Sequence, residues 1–388
     1  MKVAFASGIS LFLQLQNFVG AQSGNFDLKG DVTSWTKGEA RLSSSRSFLG
    51  AASAGEYALF VGGVDSDGNR SDSADMFNIN DYGLLKSKIS EARSEMGSGS
   101  FMNGRYAVFA GGKINDTALS RRIDIYDSEL HAWILLEMSS ARASPQLIDL
   151  GGILAIYGGA ILEPPFISRT IDYLDSNLRL TTTQDRVSGY PFVGISAGNT
   201  ALSSGIVLGG YTNSNLGGDM ILYGPSNQTL FFKKNGNVVE LEALDPVPSP
   251  RLGMQGAFSF DSLVYAGGHT IANDGYTLVP SNKISTFNSR RNFHTDLQIT
   301  LSEPRTYIYS GAFQRFVLFW GGGSSKILEI FDSTNLGLVA NVPQAFNLTI
   351  SRDVAGTTVA KECIMFVGGG QVWSTGKPTD SVEIIRGC

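Results

Sequence analysis

Arg46, Arg142, Arg251, Arg305 and Arg352 each stand sixteen residues ahead of a Gly-Gly pair, and Arg93 stands eighteen ahead of another. A guanidinium presents five N–H donors in a rigid fork, so a ring of arginines at a pocket mouth would suit a carboxylate or phosphate. The same fork can instead bond main-chain carbonyls and hold neighbouring elements together, and the spacing alone leaves both roles open. Other chemistry-bearing residues are few. The three histidines, His131, His269 and His294, show no His-x-His or His-x-x-x-His spacing, so no metal site is expected. His131 and His294 read as outer-strand residues, whereas His269 directly follows a Gly-Gly and is a candidate ligand contact. Asp65-Ser66-Asp67-Gly68-Asn69 starts like a calcium loop but lacks the later bidentate acid and reads as a polar turn. No phosphate-binding loop, dinucleotide fingerprint or Gly-x-Ser-x-Gly elbow is present. No catalytic residue and no cofactor follow from this inventory.

The elements that must carry these residues are set by a repeat. An apolar run ending in Gly-Gly returns seven times: EYALFVGG, RYAVFAGG, ILAIYGG, SGIVLGG, SLVYAGG, RFVLFWGG and CIMFVGG. The first glycines stand at 62, 111, 158, 209, 267, 321 and 368, so a unit of about fifty residues recurs. Each run is short and rich in Val, Ile, Phe and Tyr, which describes a buried strand stopped by a conformation that glycine accepts easily. A second strand follows a variable loop and usually closes on Asp or Asn: ADMFN, IDIYD, IDYLD, ISTFN and LEIFD. MILYG and VEIIR keep the strand without that residue. Small residues precede each run, as in Gly50-Ala51-Ala52-Ser53, and suit an innermost strand crowded at a central axis.

Together the double glycine, the arginine register and the aromatic-acid strand end resemble the kelch repeat over residues 31 to 388. That resemblance implies an all-β, seven-bladed propeller of four-stranded sheets in one domain. It also implies that Arg46, Arg93, Arg142, Arg251, Arg305 and Arg352 ring one mouth, on the face of the loops after Gly-Gly. The fourth copy departs, with Ser188-Gly189-Tyr190-Pro191 in place of the arginine, and the family's outer-strand Trp occurs only as Trp35 and Trp133. Copper radical oxidases of this fold need a Tyr-crosslinked Cys and two His ligands, a pattern this chain does not match. No residue set matches the site of exported sialic-acid epimerases either.

The last repeat ends at Cys388 one outer strand short, and Val32-Thr33-Ser34-Trp35-Thr36 reads as that strand. The amino-terminal strand should therefore complete the last blade, leaving neither end free to fray. Cys363 opens the second strand of that blade and Cys388 ends its third. Centring the hairpin near 375 to 376 places the two opposite each other, close enough for a disulfide.

Residues 1 to 21 read as a signal peptide: Lys2, then an apolar run ending at Val19-Gly20-Ala21. Gln14, Gln16 and Asn17 break the run, so it falls short of a spanning helix. Residues 22 to 30 then form a short lead. Export fits a disulfide and glycans at the sequons Asn69, Asn115, Asn227 and Asn347. The chain of 388 residues carries 46 Gly, 17% charged residues and a net charge of −5, without clustered Lys or Arg. A helical, disordered or nucleic-acid-binding protein is thereby disfavoured. The expected protein is a secreted or cell-surface monomer without a transmembrane segment. It would bind a protein or carbohydrate ligand on the loop face, towards blades three to six, where the loops 160 to 168 and 269 to 281 (with Tyr276) are longest. The alternative is an exported enzyme acting on a sugar or small acid in the central pocket.

Overall fold

The computed structural model describes residues 30–187, 192–215, 221–272 and 277–388. Residues 1–29 with the expected signal, the 188–191 segment and Tyr276 lie outside them. The described chain forms a ring of seven antiparallel sheets. Blade one shows the common plan: Gly50–Ala54, Tyr57–Val61, Ser73–Asn78 and Leu84–Lys88 pair in sequence order from the axis outward. No helix among the described residues is long and apolar enough to cross a membrane.

Blade seven is completed by the amino terminus. Gly356–Ala360, Ile364–Gly368 and Ser381–Arg386 supply three strands, and Thr36–Arg41 pairs with the last of them from Thr36 opposite Arg386 to Arg41 opposite Ser381. The strand sits later than the sequence suggested. Val32–Ser34 is a single 3-10 turn capped by Asp31, which accepts from the Thr33 N–H at 2.9 Å. Trp35 leaves that turn and packs in the layer between blades, with ring centroids 5.2 Å from Phe313 and 5.6 Å from Phe316. Burial of its indole, not strand pairing, fixes its position.

Blade four departs further from expectation. Its second strand, Ser204–Asn215, runs straight through Gly209-Gly210. Ile221–Pro225, expected as the third blade strand, instead folds back on the far half of Ser204–Asn215 as a hairpin arm. Thr229–Asn235, with Leu230 and Phe232 buried, takes the third place in the sheet. In blade seven the strand continues through Gly368, so the pair with left-handed backbone is Gly369 and Gly370.

The core lies between blades. Leu59, Val61 and Met76 of blade one pack on Ala107, Phe109 and Tyr126 of blade two, and comparable layers fill the other spaces. Each large apolar side chain so buried contributes roughly 1.5–3 kcal/mol. Small inner-strand residues let the blades converge: an added Cβ at Gly97 would stand 2.2 Å from the Pro145 carbonyl oxygen.

Cys363 and Cys388 are joined, with Cα atoms 5.7 Å apart. The register pairs Ile364 with Arg386, so Cys363 faces Gly387, and the bridge reaches one residue further along. The Gly387 N–H donates to the Cys363 carbonyl at 2.8 Å.

Candidate functional site

The six register arginines are 0–2% exposed. They do not present free forks at a mouth. Arg46, Arg93 and Arg305 form ion pairs with Asp75, Asp124 and Glu329 of their own blades. Arg142 pairs with Asp172 at 2.5 Å and Arg352 with Glu383 at 3.0 Å. Arg251 has Ser285 in the acid's place, at 2.8 Å, and the Ser285 hydroxyl donates on to Asp296 at 2.7 Å. Other donors reach main-chain carbonyls, as from Arg251 to Gly267 at 3.0 Å and from Arg305 to Gly321 at 3.1 Å, whereas the Nε atoms of Arg46, Arg142, Arg305 and Arg352 are buried with no hydrogen-bond partner among the described residues. Burial lowers the pKa of each guanidinium and the nearby acids counter that fall.

Each arginine's own carbonyl accepts from the blade before it. Gly63 N–H donates to Arg93 at 2.9 Å, Gly112 to Arg142 at 2.8 Å, Gly268 to Arg305 at 2.9 Å and Gly370 to Arg46 at 2.9 Å. The double glycine is required by this seam: a Cβ on Gly62 would lie 2.3 Å from the Arg93 oxygen, and one on Gly111 2.2 Å from that of Arg142.

Two parts of the seam escaped sequence reading. The partner acid is the one inside the third strand (Asp75, Asp124, Asp172, Glu329, Glu383), whereas the strand-end Asp or Asn caps the next turn, as Asp127 accepts from the Glu129 N–H at 2.9 Å. A Ser or Thr three residues before the arginine also bonds that acid: Ser43 to Asp75 at 3.0 Å, Ser90 to Asp124 at 2.8 Å and Thr349 to Glu383 at 2.7 Å. The detectable signal was a Ser/Thr-x-x-Arg spacing co-occurring with an acid two residues before the strand-end aromatic or aliphatic residue.

His269 opens a short strand, His269–Ile271, after the blade-five glycines. It is half-buried, which lowers its pKa, and its ring meets Tyr307 edge-on at 6.1 Å. Tyr307 belongs to the approach to blade six and Asp353 to the approach to blade seven. Asp353 accepts from the Gly323 N–H at 2.9 Å, and burial raises its pKa to about 6. Trp373, 53% exposed, lies in the blade-seven loop; its ring comes within 4.0 Å of where a Gly323 Cβ would project. Blades five to seven thus present a His, a Tyr, an Asp and a Trp along one face. The sequence had singled out only His269 among these four.

The remaining histidines have local partners. His131 stands in the turn before the outer strand Ala132–Glu137, 3.2 Å from the Tyr126 hydroxyl. His294 is buried between Thr229 at 3.0 Å and Tyr265 at 3.2 Å, and burial lowers its pKa to about 4. No group of three metal-ligating side chains occurs among the described residues. Asp65 closes its own turn by accepting from the Asp67 and Asn69 N–H groups, each at 2.9 Å.

Asn69, Asn115 and Asn227 are exposed. Asn347 is half-buried, and its side-chain oxygen accepts from the Leu328 N–H at 3.0 Å. No protein-family model and no curated protein matches the chain in sequence.

Proposed function

We propose that this protein is an exported propeller of the kelch type that binds a glycan or protein ligand on the face of the Gly-Gly loops, at blades five to seven. The observation that carries this reading is Trp373, an exposed indole beside the Gly323 turn that Asp353 holds, on the same face of the ring as the His269–Tyr307 ring contact. An exposed indole offers a flat apolar surface for the C–H face of a sugar ring or an apolar side chain, and polar groups beside it fix orientation. This moves the docking region from the expected blades three to six to blades five to seven. The arginines support the reading indirectly, because guanidiniums spent on the seam hold the loops in place.

The cysteine pair of the closing blade fits an oxidising compartment and hence export. Binding of the purified protein to a glycan array, repeated with Trp373→Ala and His269→Ala, tests the assignment. Loss of binding with an unchanged melting temperature is expected. Retained binding in both variants removes the site from this face.

A second reading rests on Asp353. A carboxyl raised to about 6 near Tyr307 is the kind of group that general acid or base chemistry on a sugar or small acid would use. Product formation from a bound glycan, lost in Asp353→Asn, would select it over plain binding.

A further inference from the structure

At the opposite end of the ring, where the inner-strand hairpins turn, blades four to seven line an open-mouthed cavity of about 340 Å³. Its walls are mainly apolar. Leu202 comes from blade four, Phe258 and Phe260 from blade five, and Ala312 from blade six. Phe260 is 65% exposed and adopts a left-handed backbone, φ 53°, in the turn after Gln255–Ser259. Its carbonyl is held by the side-chain amide of Asn199 at 2.8 Å, and Asn199 is itself buried at the end of the blade-four inner strand. The Phe260 backbone is therefore tied to blade four by a partly buried hydrogen bond.

Glu362 of blade seven completes the lining. Its Oε1 is buried and has no hydrogen-bond partner among the described residues. Burial raises its pKa to about 7, and no cation opposes that rise. The cavity's arginine, Arg290, is already ion-paired with Asp261. A carboxylate oxygen buried without a partner beside an apolar wall is costly unless an incoming group supplies donors and positive charge. Aromatic faces beside it attract the same charge.

We propose that this cavity is a binding site for a protonated amine carried on an apolar stem, with the ammonium on Glu362 and the stem against Phe258 and Phe260. The volume lies within the range of small-ligand sites and admits a single aromatic ring with a short alkylamine arm. A free amine and a lysine side chain of a partner share this chemistry.

Calorimetric titration of the purified protein with phenethylamine and with its neutral counterpart 2-phenylethanol tests the site. Phenethylamine should bind at least tenfold more tightly than the alcohol, and Glu362→Gln should remove that preference. Because the glutamine keeps the side chain's size, its melting temperature serves as the folding control. Phe260→Ala, at an exposed position, should weaken both compounds. Equal binding of amine and alcohol, or an amine preference that survives in Glu362→Gln, overturns the proposal. Tighter binding of a hexapeptide with one unmodified lysine and an acetylated amino terminus than of phenethylamine assigns the site to a partner's lysine. The reverse order assigns it to a free amine.

Discussion

The Phe48 N–H donates to the carbonyl of Val354 at 3.0 Å, joining residues near opposite ends of the chain. Phe48 and Val354 each stand two residues after a register arginine, and each has a left-handed backbone, φ 56° and 48°. The pattern continues round the ring: Glu95 N–H donates to Phe48 at 3.1 Å and Ser144 N–H to Glu95 at 2.7 Å. A belt of main-chain bonds thus crosses the seam where head and tail meet, inside the layer of buried arginines.

Trp35 should matter to that closure more than the outer strand that follows it. Replacing it by alanine vacates the contact with Phe313 and Phe316, and large-to-small changes of this kind cost about 3–5 kcal/mol. Urea unfolding should show a clear drop in midpoint. A midpoint within error of the parent would mean that blade seven closes without the indole.

The arginine seam gives an asymmetric expectation. Asp172→Ala leaves Arg142 buried without its partner, a situation that costs about 3–5 kcal/mol. Replacing both residues by apolar side chains of similar volume should restore most of the loss. If the double variant is as unstable as the single, the pair contributes through attraction and not merely by avoiding an unpaired charge.

Cys388→Ser should destabilise the protein by about 3 kcal/mol on loop-closure arithmetic for a separation of 25 residues. The parent should gain two mass units on reduction and lose the same stability. An unchanged mass would show free thiols.

Stability should fall with rising pH because of Asp149. This carboxyl is 3% exposed at the end of the blade-three inner strand, and burial raises its pKa from 3.8 to about 7, against the Gly151 N–H bond of 2.8 Å. Between those values the folded state binds more protons than the unfolded one, so stability declines with pH and the loss is complete above about 7. The gap corresponds to at most about 4 kcal/mol. Asp149→Asn should therefore gain on the parent between pH 4 and pH 8 in thermal melts. A difference that stays constant across that range would contradict the assignment.

Glycan occupancy should separate the four sequons. Asn69, Asn115 and Asn227 are exposed, and the bonds of Asn69 to Asp65 and of Asn115 to Thr117 stay within their own loops, whereas Asn347 is half-buried and engaged with Leu328 of another element. Peptide mapping of protein secreted from eukaryotic cells should find Asn347 bare. A glycan there would require that capping bond to open.

The repeat was legible because each of its parts answers a local demand. Alternation of apolar runs and small inner strands needs only neighbouring blades to make sense, so seven Gly-Gly strands sufficed to imply seven sheets, with the amino terminus completing the last. Blade four escaped because strand pairing decided it: Ser204–Asn215 kept its direction through Gly209-Gly210, and only the paired arm Ile221–Pro225 accounts for that extension. The register of Arg46 and its counterparts was visible, but not which way the side chains turn. That depends on Asp75 and its equivalents arriving from strands some thirty residues later, and on carbonyls taken up by the glycines of the previous blade. The Glu362 cavity could not be read at all, since four blades bring its walls together from residues far apart in the chain. Local composition determined the strands and their number; the closing of the ring decided which polar groups were consumed within it and which were left without a partner at its two ends.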